Sequence, residues 1–250
     1  IQDIGTIEPL DGMKFETDPC TVEKIGYKKG KVKEPLLVCG KDKALKCGEE
    51  FKVFNYGFYR KTEKEIKIGY LYPRNSYDLM KAVVNGIYTF AKLGKYHGEK
   101  DLYTMAGLLD LDVKAMVREE YELGDITDYK RAANKLQKIE GINLVIALVP
   151  DGMEEDGPYN PFKTIWAKAN IPSQMISMKT AKLFAEEAKE GNKAKNNSRY
   201  YLHNIILGIL GKTGGIPWVV KDMPGNVDCF VGLDVATIAK GIHYPACSVV

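Results

Sequence analysis

The stretch YNPFKTIWAKANIPSQ places an aromatic hydroxyl at Tyr159, an ammonium at Lys163 and a carboxamide at Gln174. A second ammonium follows at Lys212, within LHNIILGILGKTGG. Converging donors of these kinds are what a phosphate dianion needs, because its oxygens only accept hydrogen bonds and its charge needs cations nearby.

Helical spacing governs the first pair. Asn160 reads as an N-cap and Pro161 as the first helical residue, with Phe162, Ile165, Trp166 and Ala169 spaced to face a core. Lys163 then lies about 100° round from Phe162, in the first turn. A cation is electrostatically misplaced there, since the partial positive charge of a helix N-terminus favours anions. An external anion between the helix end and the ammonium would remove the conflict. A solvated surface lysine is the plain alternative, and this stretch by itself leaves both open.

The second helix, from Ser198 to about Leu210, carries an apolar stripe of Leu202, Ile205, Ile206 and Ile209. Asn204, Gly208 and Gly211 fall on the other face. Each helical glycine costs about 1 kcal/mol relative to alanine, which close approach of a backbone or a ligand would explain. Lys212 follows where the helix dipole favours a cation, so a dipole partner is its simplest reading. Further on, FVGLDVA reads as an apolar strand ending in an acid, Asp234, which out of context is a turn residue.

These side chains need elements to hold them. IKIGYLYP, closed by Pro73, and INLVIALVP read as buried strands of a parallel sheet. A helix runs from Asn75 or Ser76 to Gly94; residues 101–111, 113–123 and Asp128–Ile139 also read as helical. A short strand lies in IPSQMISM, a charged stretch follows it, and WVVKDMPGNVDCFVGLDV reads as strand, Pro-Gly turn and strand. Residues 1 to about 60, with PLLVC and FKVFNYGFY between turns, form a β-rich leader. Alternating strands and helices predict a doubly wound, Rossmann-like α/β fold. No internal repeat is present.

The bulk numbers fit that frame. The 250 residues are 45% apolar and 28% charged, the profile of a soluble globular protein; the net charge of +3 selects no partner, because a nucleic-acid binder concentrates basic charge locally and distribution matters more than the total. No apolar run nears the roughly 20 residues of a membrane span, and no signal-peptide pattern opens the chain, which points to a cytoplasmic protein. The first residue is Ile1 rather than Met, so a piece of something longer is expected. The five cysteines (20, 39, 47, 229 and 247) form no CxxC pair and read as reduced structural thiols, although Cys39 and Cys47 could meet across a hairpin. His97, His203 and His243 are assigned no role, His203 being a packed or surface helix residue.

In combination these motifs resemble the MID domain of the Argonaute/Piwi family, most closely its archaeal-type prokaryotic members. The resemblance rests on Tyr159-x-x-x-Lys163, IPSQMISMK with Gln174, LHNIILGILGKTGG with Lys212, and IPW…VDCFVGLDV, and it covers residues 66 to 250. It implies a leader or linker over 1–65, a MID domain over 66–215, and the first strands of an RNase H-like PIWI domain over 216–250. Tyr159, Lys163, Gln174 and Lys212 would then hold the 5′ phosphate of a short guide DNA or RNA, the Tyr159 ring stacking on the first base. The loop PDGMEEDGP corresponds to the segment that senses that base, and is longer and more acidic than usual.

The same resemblance makes Asp234 the first carboxylate of a nuclease that uses Mg2+ or Mn2+ to activate water and stabilise the leaving oxygen, acting on a strand complementary to the guide. One carboxylate cannot hold two metals, so this piece, without the rest of its PIWI domain, is not expected to cut. Where many relatives carry a lysine or a metal-assisting amide, this chain has Gly208. Two rivals remain at this level. A Rossmann-like cofactor-binding domain would share the strand-helix order, but no GxGxxG follows a strand and GKTGG ends a helix instead of opening one. A purely structural fragment would use its glycine face for packing and ignore nucleic acids.

Overall fold

The computed structural model describes residues 34–62, 65–93, 109, 111–152, 159–190, 198–221, 231–239 and 242–249, with backbone alone at 92–93, 111–116, 159–160, 231–239 and 242–249. Contacts divide the chain into Ile1–Glu34 and Pro35–Val250, and the architecture below is that of the second unit.

Its centre is a four-stranded parallel sheet. The strands are β3 (Ile66–Pro73), β4 (Leu111–Tyr121), β5 (Leu144–Val149) and β6 (Ser173–Ser177), in the spatial order β4-β3-β5-β6. Helix α2 (Tyr77–Leu93) joins β3 to β4, α3 (Ile126–Gln137) joins β4 to β5, and α4 (Tyr159–Lys168) joins β5 to β6. The first crossover runs one way along the sheet and the next two run the other way. Right-handed crossovers therefore put α2 on one face and α3 and α4 on the opposite face. After β6 the chain returns to the α2 face as α5 (Met178–Glu190) and α6 (Ser198–Lys212). The fold is doubly wound α/β, as the strand-helix alternation predicts.

The period-two geometry of a strand explains how one apolar run serves two cores. Leu144, Ile146 and Leu148 join the core shared with α2, α5 and α6, while Val145, Ala147 and Val149 point into the core shared with α3 and α4. In the second core the buried polar tips are satisfied. Trp166 Nε1 donates to the Tyr129 hydroxyl at 2.7 Å, and the Tyr121 hydroxyl donates to the Leu148 carbonyl at 2.7 Å. At the other core, the buried Glu187 carboxylate of α5 accepts from the Ser198 amide at 3.1 Å and its hydroxyl at 2.5 Å, which fixes where α6 begins.

The leader contributes more than extended chain. Strands β1 (Leu36–Val38) and β2 (Ala44–Lys46) form a hairpin, and β1 also pairs antiparallel with β7 (Val219–Lys221). FKVFNYGFY forms a 3-10 turn and a short helix α1 (Val53–Tyr56) rather than a strand. Its Phe54 ring stacks on buried His203, 4.5 Å between centroids. Burial, with Arg199 second, pushes the His203 pKa down to about 4, so it is a neutral core residue. Cys39 and Cys47 do not meet. Register pairs Val38 with Ala44, leaving Cys39 at the turn end of the hairpin and Cys47 at the open end, both as free thiols.

Several local expectations are corrected. Residues 113–121 are strand, not helix: Leu111, Val113, Ala115, Val117 and Tyr121 occupy period-two positions, with Asp112, Lys114, Arg118 and Glu120 on the alternate ones, and this outweighs the helix propensity of KAMVREE. Residues 101–108 lie outside the described residues. The charged stretch after β6 begins as helix α5. Helix α4 starts at Tyr159, so Asn160 sits inside its first turn instead of capping it. Helix α3 starts at Ile126, where the Asp125 carboxylate accepts from the Thr127 and Asp128 amides at 2.8 and 3.1 Å. Replacing Asp125 by alanine is expected to cost about 1 kcal/mol, seen as a lower urea midpoint with an unchanged slope.

The last two strands, β8 (Val231–Ala239) and β9 (Ile242–Val249), pair antiparallel. Asp234 lies inside β8, opposite Ala246, rather than at a strand end, because pairing with β9 extends the strand to Ala239. The Pro-Gly turn before β8 lies outside the described residues. Among the described residues, no helix is long and apolar enough to cross a membrane.

Candidate anion-binding site

Three elements bring the candidate residues together. Buried Phe162 and Trp166 anchor α4 in the core against α3, which turns Lys163 toward the start of β6. Strand β6 lies beside β5 with Gln174 opposite Ile146; Ser173 is buried and Gln174 half-buried. Helix α6 buries Leu202, Ile205, Ile206, Ile209 and Leu210, leaving Gly208 and Lys212, one turn apart, on its other side. The turn that ends α6 needs its glycines. Gly214 sits at φ +87°, and a Cβ on Gly215 would fall 2.2 Å from the Leu210 side chain.

The contacts at this junction are specific. The Lys163 ammonium donates to the Ser173 carbonyl and, at 2.9 Å, to the Ser173 hydroxyl. The Lys212 ammonium donates to Gln174 Oε1, and Gln174 Nε2 makes a longer 3.3 Å bond to the Met175 carbonyl. Two adjacent residues of one strand thus hold both ammonium groups. Neither lysine pairs with a carboxylate among the described residues.

Electrostatics follow from that arrangement. Burial holds the Lys163 pKa below the usual lysine range. Lys212 is exposed as a residue, yet its ammonium sits against Gln174 and the backbone notch at Gly208. Burial first, and the neighbouring Lys163 second, push its pKa down to about 8. Two like charges are therefore placed close together, and their partners among the described residues are neutral oxygens. A bound dianion would relieve both the desolvation and the repulsion, which surface lysines do not require.

Tyr159 opens α4 one turn before Lys163; its side chain, like that of Asp234, lies outside the described residues, as do residues 153–158 of the PDGMEEDGP loop. Asp234 belongs to the β8–β9 pair and not to any of the three elements above. Ser173 was not legible as a site residue, since a serine at the start of a strand has no distinguishing pattern; only its place beside Gln174 could have pointed to it. Among the described residues, no three His, Cys, Asp or Glu side chains come together in a way that could hold a metal ion.

No protein-family model matches the chain. Over 111 residues it is 32% identical to an argonaute protein of Aquifex aeolicus (strain VF5), a similarity covering 42% of this chain and 14% of that protein. Among solved structures it is similar to Clostridium butyricum Argonaute bound to a guide DNA (5′ deoxycytidine) and a 19-mer target DNA. Identity there is 44%, the TM-score is 0.74, and the similarity covers 92% of this chain and 30% of that one. Kluyveromyces polysporus Argonaute with a guide RNA shares the fold, at 14% identity and a TM-score of 0.52 over 82% of this chain and 25% of that one. The chain therefore spans less than a third of the length of each of these relatives.

Proposed function

Because this chain belongs to the Argonaute/Piwi family, we propose that it anchors the 5′-phosphorylated end of a short guide nucleic acid. Lys163 and Lys212 neutralise the terminal phosphate and Gln174 donates its amide. Tyr159 supplies a hydroxyl and a stacking ring. In this reading residues 66–215 are the MID domain, 1–65 its linker, and 216–250 the start of PIWI. The observation that carries it is the pair of lysines gathered on Ser173 and Gln174 with no carboxylate partner among the described residues.

The larger activity belongs to the same proposal. The guide selects a complementary strand, and the whole protein cleaves it in defence against foreign nucleic acid. A divalent cation, Mg2+ or Mn2+, would supply the activated water and charge stabilisation for cleavage. Asp234 is one carboxylate, and the described residues do not assemble the set such a centre needs.

Phosphate contacts alone do not separate DNA from RNA, so the decisive comparison is at the strand's end. Fluorescently labelled single strands with a 5′ phosphate are expected to bind about 100-fold tighter than the same strands with a 5′ hydroxyl. Equal binding would remove the proposal.

A further inference from the structure

The helix glycine at 208 has a partner that accounts for it. A Cβ built on Gly208 would stand 2.9 Å from Gln174 Oε1 and 3.6 Å from Lys212 Nζ. The Gln174 carboxamide thus rests in the notch left by the missing side chain, on the same face as the lysine one turn later. Gly211, on the same helix, would meet nothing within 4 Å, so the close approach is particular to Gly208.

The chemistry of the pair sets the direction of the amide. An ammonium has donors only, so Lys212 can bond Gln174 only through Oε1. With the oxygen held there, Nε2 is turned away from Lys212 and makes a weak 3.3 Å contact to the Met175 carbonyl. A glutamine in either flip state would present an acceptor to an anion half the time. This one presents a donor.

We propose that Gly208 is a positioning residue of the anion site: its bare backbone seats the Gln174 carboxamide so that Lys212 locks the oxygen and the N–H not turned to Met175 faces the phosphate. The inference rests on the anchoring function above and deepens it, by assigning the orientation of the amide to a residue that touches no ligand. It also gives the glycine a role distinct from metal binding, since its space is filled by Gln174.

Gly208→Ala separates this from a structural role, because the two readings move stability and binding differently. Alanine in a helix interior is favoured by about 1 kcal/mol, so the melting temperature of the variant is expected to hold or rise. Its preference for 5′-phosphate over 5′-hydroxyl strands is expected to fall several-fold, because the carboxamide is displaced and Lys212 loses its oxygen. Gly211→Ala should gain the same helix propensity and keep the wild-type preference. If the wild type prefers the phosphate and Gly208→Ala preserves that preference, the inference is overturned while the anchoring function stands. If the wild type shows no preference, it is the anchoring function that fails. Should Gly208→Ala not fold, the Gln174 side-chain amide signals of the wild type decide. They are expected to shift when a 5′-phosphorylated strand is added and not with its hydroxyl counterpart; unmoved signals overturn the proposal.

Discussion

Replacing Lys163 or Lys212 by alanine is expected to reduce the preference for a 5′-phosphorylated strand by about 10- to 100-fold, with affinity for the 5′-hydroxyl strand little changed. A hydrogen bond to a charged group contributes about 1.5–3 kcal/mol, and each lysine would make at least one to the phosphate. The two losses should not add, because the ammonium groups already repel one another and share one ligand. Neither substitution should unfold the protein. Each removes one of two like charges held near each other, so melting temperatures are expected to stay level or rise. Titrating both strand types against each variant checks this. A parallel drop for phosphate and hydroxyl ends would mean that the lysines act on the backbone of any strand, not on its terminus.

The same site predicts a pH dependence with opposite signs for binding and for stability. Lys212 has its pKa lowered from 10.5 to about 8, while the second ionisation of a terminal phosphate, near pKa 6, is already complete there. Below pH 8 the ammonium is charged in the ligand-free protein and binding needs no proton. Above pH 8 the free protein holds a neutral amine, and the phosphate must draw a proton back onto it. Affinity for the phosphorylated strand is therefore expected to fall as pH rises past 8, with a limiting slope of about tenfold per pH unit. Folding stability runs the other way. Between about pH 8 and 10.5 the unfolded chain binds the proton and the folded chain does not, so this group's contribution rises with pH across that window. Lys212→Arg keeps the charge at all these pH values and should flatten the binding profile. An identical slope in wild type and Lys212→Arg would assign the titration to another group.

Much of this was legible in the chain itself, for reasons of periodicity. INLVIALVP is too apolar and too short for anything but a buried strand, and it supplies alternate side chains to two cores. The stripe Leu202, Ile205, Ile206 and Ile209 is buried as its spacing requires, with Asn204 and Gly211 exposed opposite. Strand β4 misled because helix-forming residues fill an edge strand, where the alternation is carried by only a few apolar positions. Asp234 misled in another way: where a strand ends depends on its partner, and β9 carries the pairing on to Ala239.

The residue types of the site, Lys163, Gln174 and Lys212, and their order along the chain were thus determined by sequence alone, as was the layer of alternating elements that carries them. Their convergence was not, because residues 38 positions apart touch only once β6 is laid against β5 and α6 is folded back beside it. The role of Ser173 as the seat of one ammonium, and of Gly208 as the notch beneath the amide, belongs wholly to tertiary structure. A hydrogen-bond acceptor and a missing side chain acquire meaning only from what packs against them, and that partner comes from a distant part of the chain.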